Sequence, residues 1–275
     1  MTLLTSIIIF VLGTAVGSFI SVIIFRLKNN KKGIIFSSSI CPKCKQKLKW
    51  RHLVPVLSYI FLRGKCAYCQ TKISPSYFFL EIITGITFVL TFLHFNFLSP
   101  ATPLLSDVFT QTEIIWKTFY IFIFYSVSFS FLITIFFYDL LYKEIPDKIS
   151  LPAIIIALAG IIILKYIGNT DALIGAAFGF AFFGIQYVIS KGRWVGSGDI
   201  RLGILMGLLM GFDKTILALA LAYIAGAIFS TLLLISKKVT KKTEIPFAPF
   251  LTLATITAIL FGKEIIDFYL NFSLI

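Results

Sequence analysis

Apolar residues run in long uninterrupted blocks, and polar residues are gathered between them. The blocks fall at 3–25, 77–98, 118–138, 149–166, 172–190, 215–236 and 247–262, with a shorter one at 202–212. An α-helix needs about 20 apolar residues to cross the hydrocarbon core of a bilayer. The pattern therefore predicts about eight membrane helices and an all-α, polytopic fold. The block at 202–212 is only about 16 Å long as a helix, so it must continue from the polar turn before it or sit in thinned bilayer. The organisation expected is a first span (1–25), a polar loop (26–76) and a helical membrane domain (77–275).

Composition agrees with the pattern. Of 275 residues, 58% are hydrophobic and 13% charged, where a soluble domain carries about 25% charged residues. This excludes a soluble nucleic-acid binder, a disordered chain and a small disulfide scaffold. The formal net charge is nevertheless +13. Twelve cations lie between Arg26 and Lys72, and no acid precedes Glu81. The charge belongs to one loop.

Alternate loops of an eight-span chain face opposite sides. The set 26–76, 139–148, 191–201 and 237–246 carries 21 Lys and Arg, while Lys117, Lys165, Lys214 and Lys263 fall on the other side. Excess Lys and Arg marks the cytoplasmic face, so both termini are expected outside the cytoplasm. The first span has no basic residue before it and runs into Arg26. It reads as a retained helix and not a cleaved signal.

All four cysteines lie in the basic loop, as Cys41-Pro-Lys-Cys44 and Cys66-Ala-Tyr-Cys69. Two CxxC turns, each giving two thiolates, complete a tetrahedron around Zn²⁺. A reducing cytoplasmic face favours metal over disulfide. Redox-active pairs or unliganded thiols are the alternative. A closed four-thiolate site implies a folding role.

Carboxylates beside lipid are costly, so each needs a reason. Asp139 ends the third span, Asp147 precedes the fourth, and Asp199 stands in Gly196-Ser-Gly198-Asp199 at the start of the short block. Asp139 and Asp199 come from two chain segments at similar depth. Two carboxylates sharing a proton hydrolyse peptides, the ionised one activating water while the protonated one polarises the carbonyl. Gly196 and Gly198 permit close backbone approach. Helix capping is the competing reading, above all for Asp147. No HExxH occurs, and the two histidines, His52 and His94, leave Ser197 without an evident base.

With these residues in view, the chain resembles the bacterial type IV prepilin peptidases, bifunctional leader peptidase/N-methyltransferases of the GxGD aspartic class. The likeness begins at Gly17-Ser-Phe-Ile-Ser-Val-Ile-Ile-Phe-Arg-Leu27. It continues through the cysteine loop to Glu81, and includes Asp139 to Asp147, Gly196 to Asp199 and Lys241 to Leu251. Ser21 stands where Asn is usual, Ala248 where Gly is usual, and Arg201 where Lys is usual. His52 falls in a stretch where Asn-x-x-Pro is usual.

The resemblance implies catalysis by Asp139 and Asp199, supported by Gly196, Gly198 and Asp147. It implies cleavage of prepilin and pseudopilin leaders after Gly on the cytoplasmic side of the bacterial inner membrane, serving type IV pili or protein secretion. It also implies methylation of the new N-terminus with S-adenosyl-L-methionine, for which Glu81 is the candidate. Zn²⁺ would sit on Cys41, Cys44, Cys66 and Cys69. The basic loop is expected against anionic lipid headgroups. A proton-coupled transporter using the same acids, or a peptidase without methyl transfer, are the alternatives.

Overall fold

The structure, a computed structural model, describes residues 2–29, 39–95, 108–236, 243 and 245–273. Lys31, Lys32, Lys237, Lys238, Lys241, Lys242 and the end of the 77–98 block lie outside them. The described residues are helical, with no strand and two isolated β-bridges in the cysteine loop. The helices are α1 (Thr2–Lys28), α2 (Leu57–Phe61), α3 (Pro75–Phe95), α4 (Val108–Tyr142), α5 (Asp147–Leu164), α6 (Asn169–Ser190), α7 (Ser197–Ile235) and α8 (Ala248–Ser273). Seven of them are long and apolar enough to cross a membrane, and α2 is not. The chain is a multi-pass membrane protein. It divides into two compact units, Met1–Phe137 and Tyr138–Ile275.

In the first unit α1 packs along α3. Apolar side chains gain little from leaving lipid for one another, so membrane helices associate through small residues that bring backbones together. Gly13 and Gly17 form such a seam, and a Cβ on Gly17 would lie 2.8 Å from Glu81 Cα. This approach sets Glu81 against α1. Ile9, Phe88, Phe92 and Phe122 close the core above it.

The second unit contains the main departure from a simple reading of hydropathy. The blocks 202–212 and 215–236 share one helix, α7, so the eight expected segments fall on seven long helices. A straight helix of this length would run about 58 Å, roughly twice the hydrocarbon thickness. It is broken at Gly211, where φ is 77° and ψ −173°. The first arm packs antiparallel to α6: Gly203 meets Gly179 and Phe183, while Gly211 meets Gly175. The second arm turns back beside the same helix, since Phe212 packs on Phe178 and Tyr223 on Phe182. The Asp171 carboxylate accepts the Phe212 N–H at 3.0 Å and so caps the returning arm. As expected, the first arm begins in the polar turn, at Ser197.

Only Gly adopts the Gly211 backbone without strain of about 1–3 kcal/mol, and a Cβ there would fall on the Asp171 carboxylate. Gly211→Ala is expected to lower stability by at least that amount. Thermal unfolding in detergent should show a clear drop in midpoint, and an unchanged midpoint would contradict the reversal.

Candidate active site and metal centre

The cysteine loop is built twice over. Cys41 N–H donates to the Gln46 carbonyl and Lys45 N–H to that of Cys41. In the same way Cys66 N–H donates to Thr71 and Gln70 N–H to Cys66. Lys45 and Gln70, both at φ 57°, take the left-handed conformation that each turn needs. A single antiparallel bridge closes each turn, Ile40 with Lys47 and Lys65 with Lys72.

The four cysteines are free thiols whose sulfurs all lie within 4.8 Å of one another. Cys41 and Cys69 are 3.9 Å apart. Zinc bound by four thiolates at ~2.3 Å requires sulfurs about 3.8 Å apart, so the donor set fits. The Thr71 hydroxyl and N–H lower the Cys69 thiol to about 6, and the Cys44 N–H leads those that lower Cys41. Although the Gln46 N–H favours a Cys44 thiolate, burial and the Cys41 and Cys69 thiols push Cys44 up to about 11. Four thiolates so close repel one another unless a cation joins them.

A cavity of about 570 Å³ lies in the same unit, with Cys41 and Cys66 in its wall. Ser18, Arg26, Tyr59 and Glu81 also line it. Glu81 is buried, at 9% exposure. Its carboxylate accepts the Val56 N–H at 2.6 Å and the Ser18 hydroxyl. Val56 has φ 62° and ψ −55°, and the Leu57 N–H reaches the Pro55 carbonyl at 2.6 Å. This is the strained form of γ-turn, highly unfavourable for a β-branched residue. Glu81 thus fastens a strained loop to the membrane helix. It lies in the second turn of α3, where a charge complementing the helix terminus would also be placed.

Asp139 and Asp199 belong to the second unit, and the charge of one acts on the other. Asp139, near the end of α4, is buried at 6% exposure and accepts the Ala248 N–H. Asp199, in the first turn of α7, accepts the Gly196 N–H at 3.0 Å. That bond caps the helix, so the capping reading of Asp199 and its place in a carboxylate pair coexist. Gly198 passes close to Ile145, and a Cβ there would lie 2.7 Å from Ile145 Cβ. Asp147 is the first residue of α5, one position past the N-cap, which is Pro146 and has no capping side chain. Asp147 pairs with Arg201, tying α5 to the first arm of α7.

The structure brings together the four cysteines, and it places Asp139 and Asp199 in one compact unit within reach of each other's charge. Glu81 belongs to the first unit, where it lines the cavity. The backbone donors at Val56 and Ala248 leave no side-chain signature in the sequence. The small-residue repeats Gly13-x-x-x-Gly17, Gly175-x-x-x-Gly179 and Gly203-x-x-x-Gly207 were the available signal for the close helix seams.

Residues 11–95 match the model of the bacterial peptidase A24 N-terminal domain, and residues 126–231 that of the type IV leader peptidase family. Among curated proteins, the chain is 28% identical to a prepilin leader peptidase/N-methyltransferase of Bacillus subtilis, over 97% of this chain and 98% of the relative. Proteins of the same name from Xanthomonas campestris and Pseudomonas aeruginosa are 27% and 25% identical. Each alignment covers 95% of this chain, with 93% and 92% of the respective relative. No solved structure matches.

Proposed function

Since the chain belongs to the type IV leader peptidase family, we propose that it cleaves the leaders of prepilins and pseudopilins after Gly and then methylates the new N-terminus. The observation that carries the peptidase reading is that Asp139 and Asp199 share one unit and feel each other's charge, each held by one backbone N–H. One carboxylate takes a proton from water as it attacks the scissile carbonyl. The other, protonated, donates a hydrogen bond to that carbonyl and later passes its proton to the leaving amine. A closely coupled pair titrates as a unit, so neither Asp is assigned as the base. Gly196 and Gly198 shape the turn that presents Asp199, and the Asp147–Arg201 pair steadies it.

For the methylation half, the cavity of the first unit has a volume typical of a small-molecule site. It offers Glu81 and Arg26 to a zwitterionic ligand and aromatic surface to a purine. Glu81, Arg26 and Tyr59 would hold S-adenosylmethionine, which when bound supplies an electrophilic methyl group. The substrate amine must lose a proton before it attacks, and among the described lining residues Glu81 is the acidic one. Zn²⁺ on the four cysteines would fix the cavity wall.

Orientation follows from the excess of cations on one set of loops. It supports placing the zinc loop and both aspartates at the cytoplasmic face of the bacterial inner membrane. The loop cations would lie against anionic lipid headgroups, at about 1 kcal/mol each.

The decisive experiment is incubation of the purified protein with a prepilin bearing Gly before the junction, followed by mass spectrometry of the product. Cleavage and a gain of one methyl on the new N-terminus are expected. Glu81→Gln keeps an acceptor for the Val56 N–H while removing the charge. It should reduce methylation about tenfold or more and leave cleavage within twofold. Equal loss of both activities would assign Glu81 a structural role.

A further inference from the structure

In the same unit as Asp199, and within reach of its charge, is a polar pair that the reaction as described does not use. Tyr223, on the second arm of α7, donates its hydroxyl to Gln186 Oε1 on α6 at 3.0 Å. The Gln186 amide is itself oriented, because its Nε2 donates to the Phe182 carbonyl at 3.1 Å. A carbonyl only accepts, so the amide nitrogen must face Phe182 and the amide oxygen Tyr223. The phenolic proton is therefore committed to Gln186. The lone pairs of the phenolic oxygen are left to accept from another partner.

The ring is held in place on two sides. Phe182 packs edge-on at 5.8 Å between centroids, and Phe247 at 5.0 Å. Phe247 directly precedes Ala248, whose N–H holds Asp139. The charge of Asp199 acts on the Tyr223 hydroxyl. One side chain thus packs against the residue preceding the support of Asp139 and lies within reach of the charge of Asp199. It is also 39% exposed, whereas Asp139 is 6% exposed. The phenol is thus open to an approaching group while the Asp139 carboxylate is enclosed.

An extended peptide bound at the edge of a membrane protein loses water from its main-chain N–H groups, and each needs an acceptor. Resting on the aspartic peptidase reading, we infer that Tyr223 is a substrate-binding residue whose hydroxyl oxygen accepts a main-chain N–H of the leader segment flanking the scissile bond. Gln186 is the positioning residue that keeps the phenolic proton turned away. A contact of this kind is made in ground and transition states alike. It therefore acts on KM and leaves kcat nearly unchanged.

The test uses the full-length protein in detergent and a series of prepilin substrates. Tyr223→Phe is expected to raise KM about three- to tenfold, the span of a single hydrogen bond, with kcat within twofold. Gln186→Leu frees the phenolic proton and should shift KM in the same direction by a smaller factor. In the Tyr223→Phe background it should add nothing. Substrates in which one flanking amide N–H is replaced by an ester oxygen give the readout that a packing role would not move. On one of these, wild type and Tyr223→Phe should have equal KM.

Cleavage by wild type together with an unchanged KM in Tyr223→Phe overturns this inference alone. So does a KM defect that persists on every ester substrate. Absence of cleavage by wild type overturns the peptidase reading and this inference with it. If Tyr223→Phe does not fold, Gln186→Leu on the same substrates decides the matter.

Discussion

Asp139→Asn and Asp199→Asn should each reduce prepilin cleavage by about 10³-fold or more, to below detection in an ordinary gel assay. The structure makes these substitutions clean. Asp139 accepts the Ala248 N–H and Asp199 the Gly196 N–H, and an amide oxygen accepts equally well. The fold and the start of α7 therefore persist while ionisation is lost. An amide can neither take a proton from water nor return one to the leaving amine, so one substitution stops the whole cycle. The double variant should be no worse than either single one, because the two groups act as a unit. Methylation should vanish as well, for want of a new N-terminus. It should return when a substrate already trimmed of its leader is supplied. Measurable cleavage by either variant, in a sample of unchanged helicity, would remove that residue from the pair.

Loss of the metal centre should have the opposite pattern. Cys44→Ser, or exhaustive chelation, is expected to abolish zinc binding and melt both turns of the loop. Among the described residues the two turns are otherwise held only by short-range backbone hydrogen bonds and two isolated bridges. In small zinc domains the metal contributes about 10–16 kcal/mol of apparent binding energy that is also folding energy. Metal analysis should find one zinc per chain in the wild-type protein. Binding must displace protons from thiols, so zinc affinity should fall as the pH is lowered. Because Cys41 and Cys66 line the cavity that holds Glu81, methylation should be lost. Asp139 and Asp199 belong to the other compact unit, so leader cleavage should survive in part. A zinc-free protein with the loop intact and methylation unimpaired would refute the assignment.

Much of this arrangement was legible in the chain because the chemistry involved uses distinctive side chains. Two CxxC pairs in a basic loop have few uses besides metal, and their sulfurs do converge. Acids at the ends of apolar blocks are rare enough to stand out, and Asp139 and Asp199 fall in one compact unit. Asp147 opens a helix after Pro146, a position that local rules give to a cap. It turns instead to Arg201, a partner distant in sequence that local rules cannot supply. The reversal at Gly211 was hidden for another reason. Hydropathy records how apolar a segment is but not which way it runs, so a hairpin inside one helix looks like a short span followed by a long one. The hold on Glu81 was equally invisible, because the Val56 N–H belongs to the backbone and every residue but proline has one.

The glycine seam between α6 and the first arm of α7 brings backbone against backbone, with Gly203 against Gly179 and Gly207 against Gly175 and Ala176. The depth of Asp199 is thereby indexed to main-chain contact and not to the shapes of surrounding side chains. The outward faces of these helices, with Ile185, Val188 and Ile189 exposed, are consequently free to drift. Such a chain can be refitted to bilayers of different lipid content by changing its coat alone, while the frame that sets the carboxylate stays fixed.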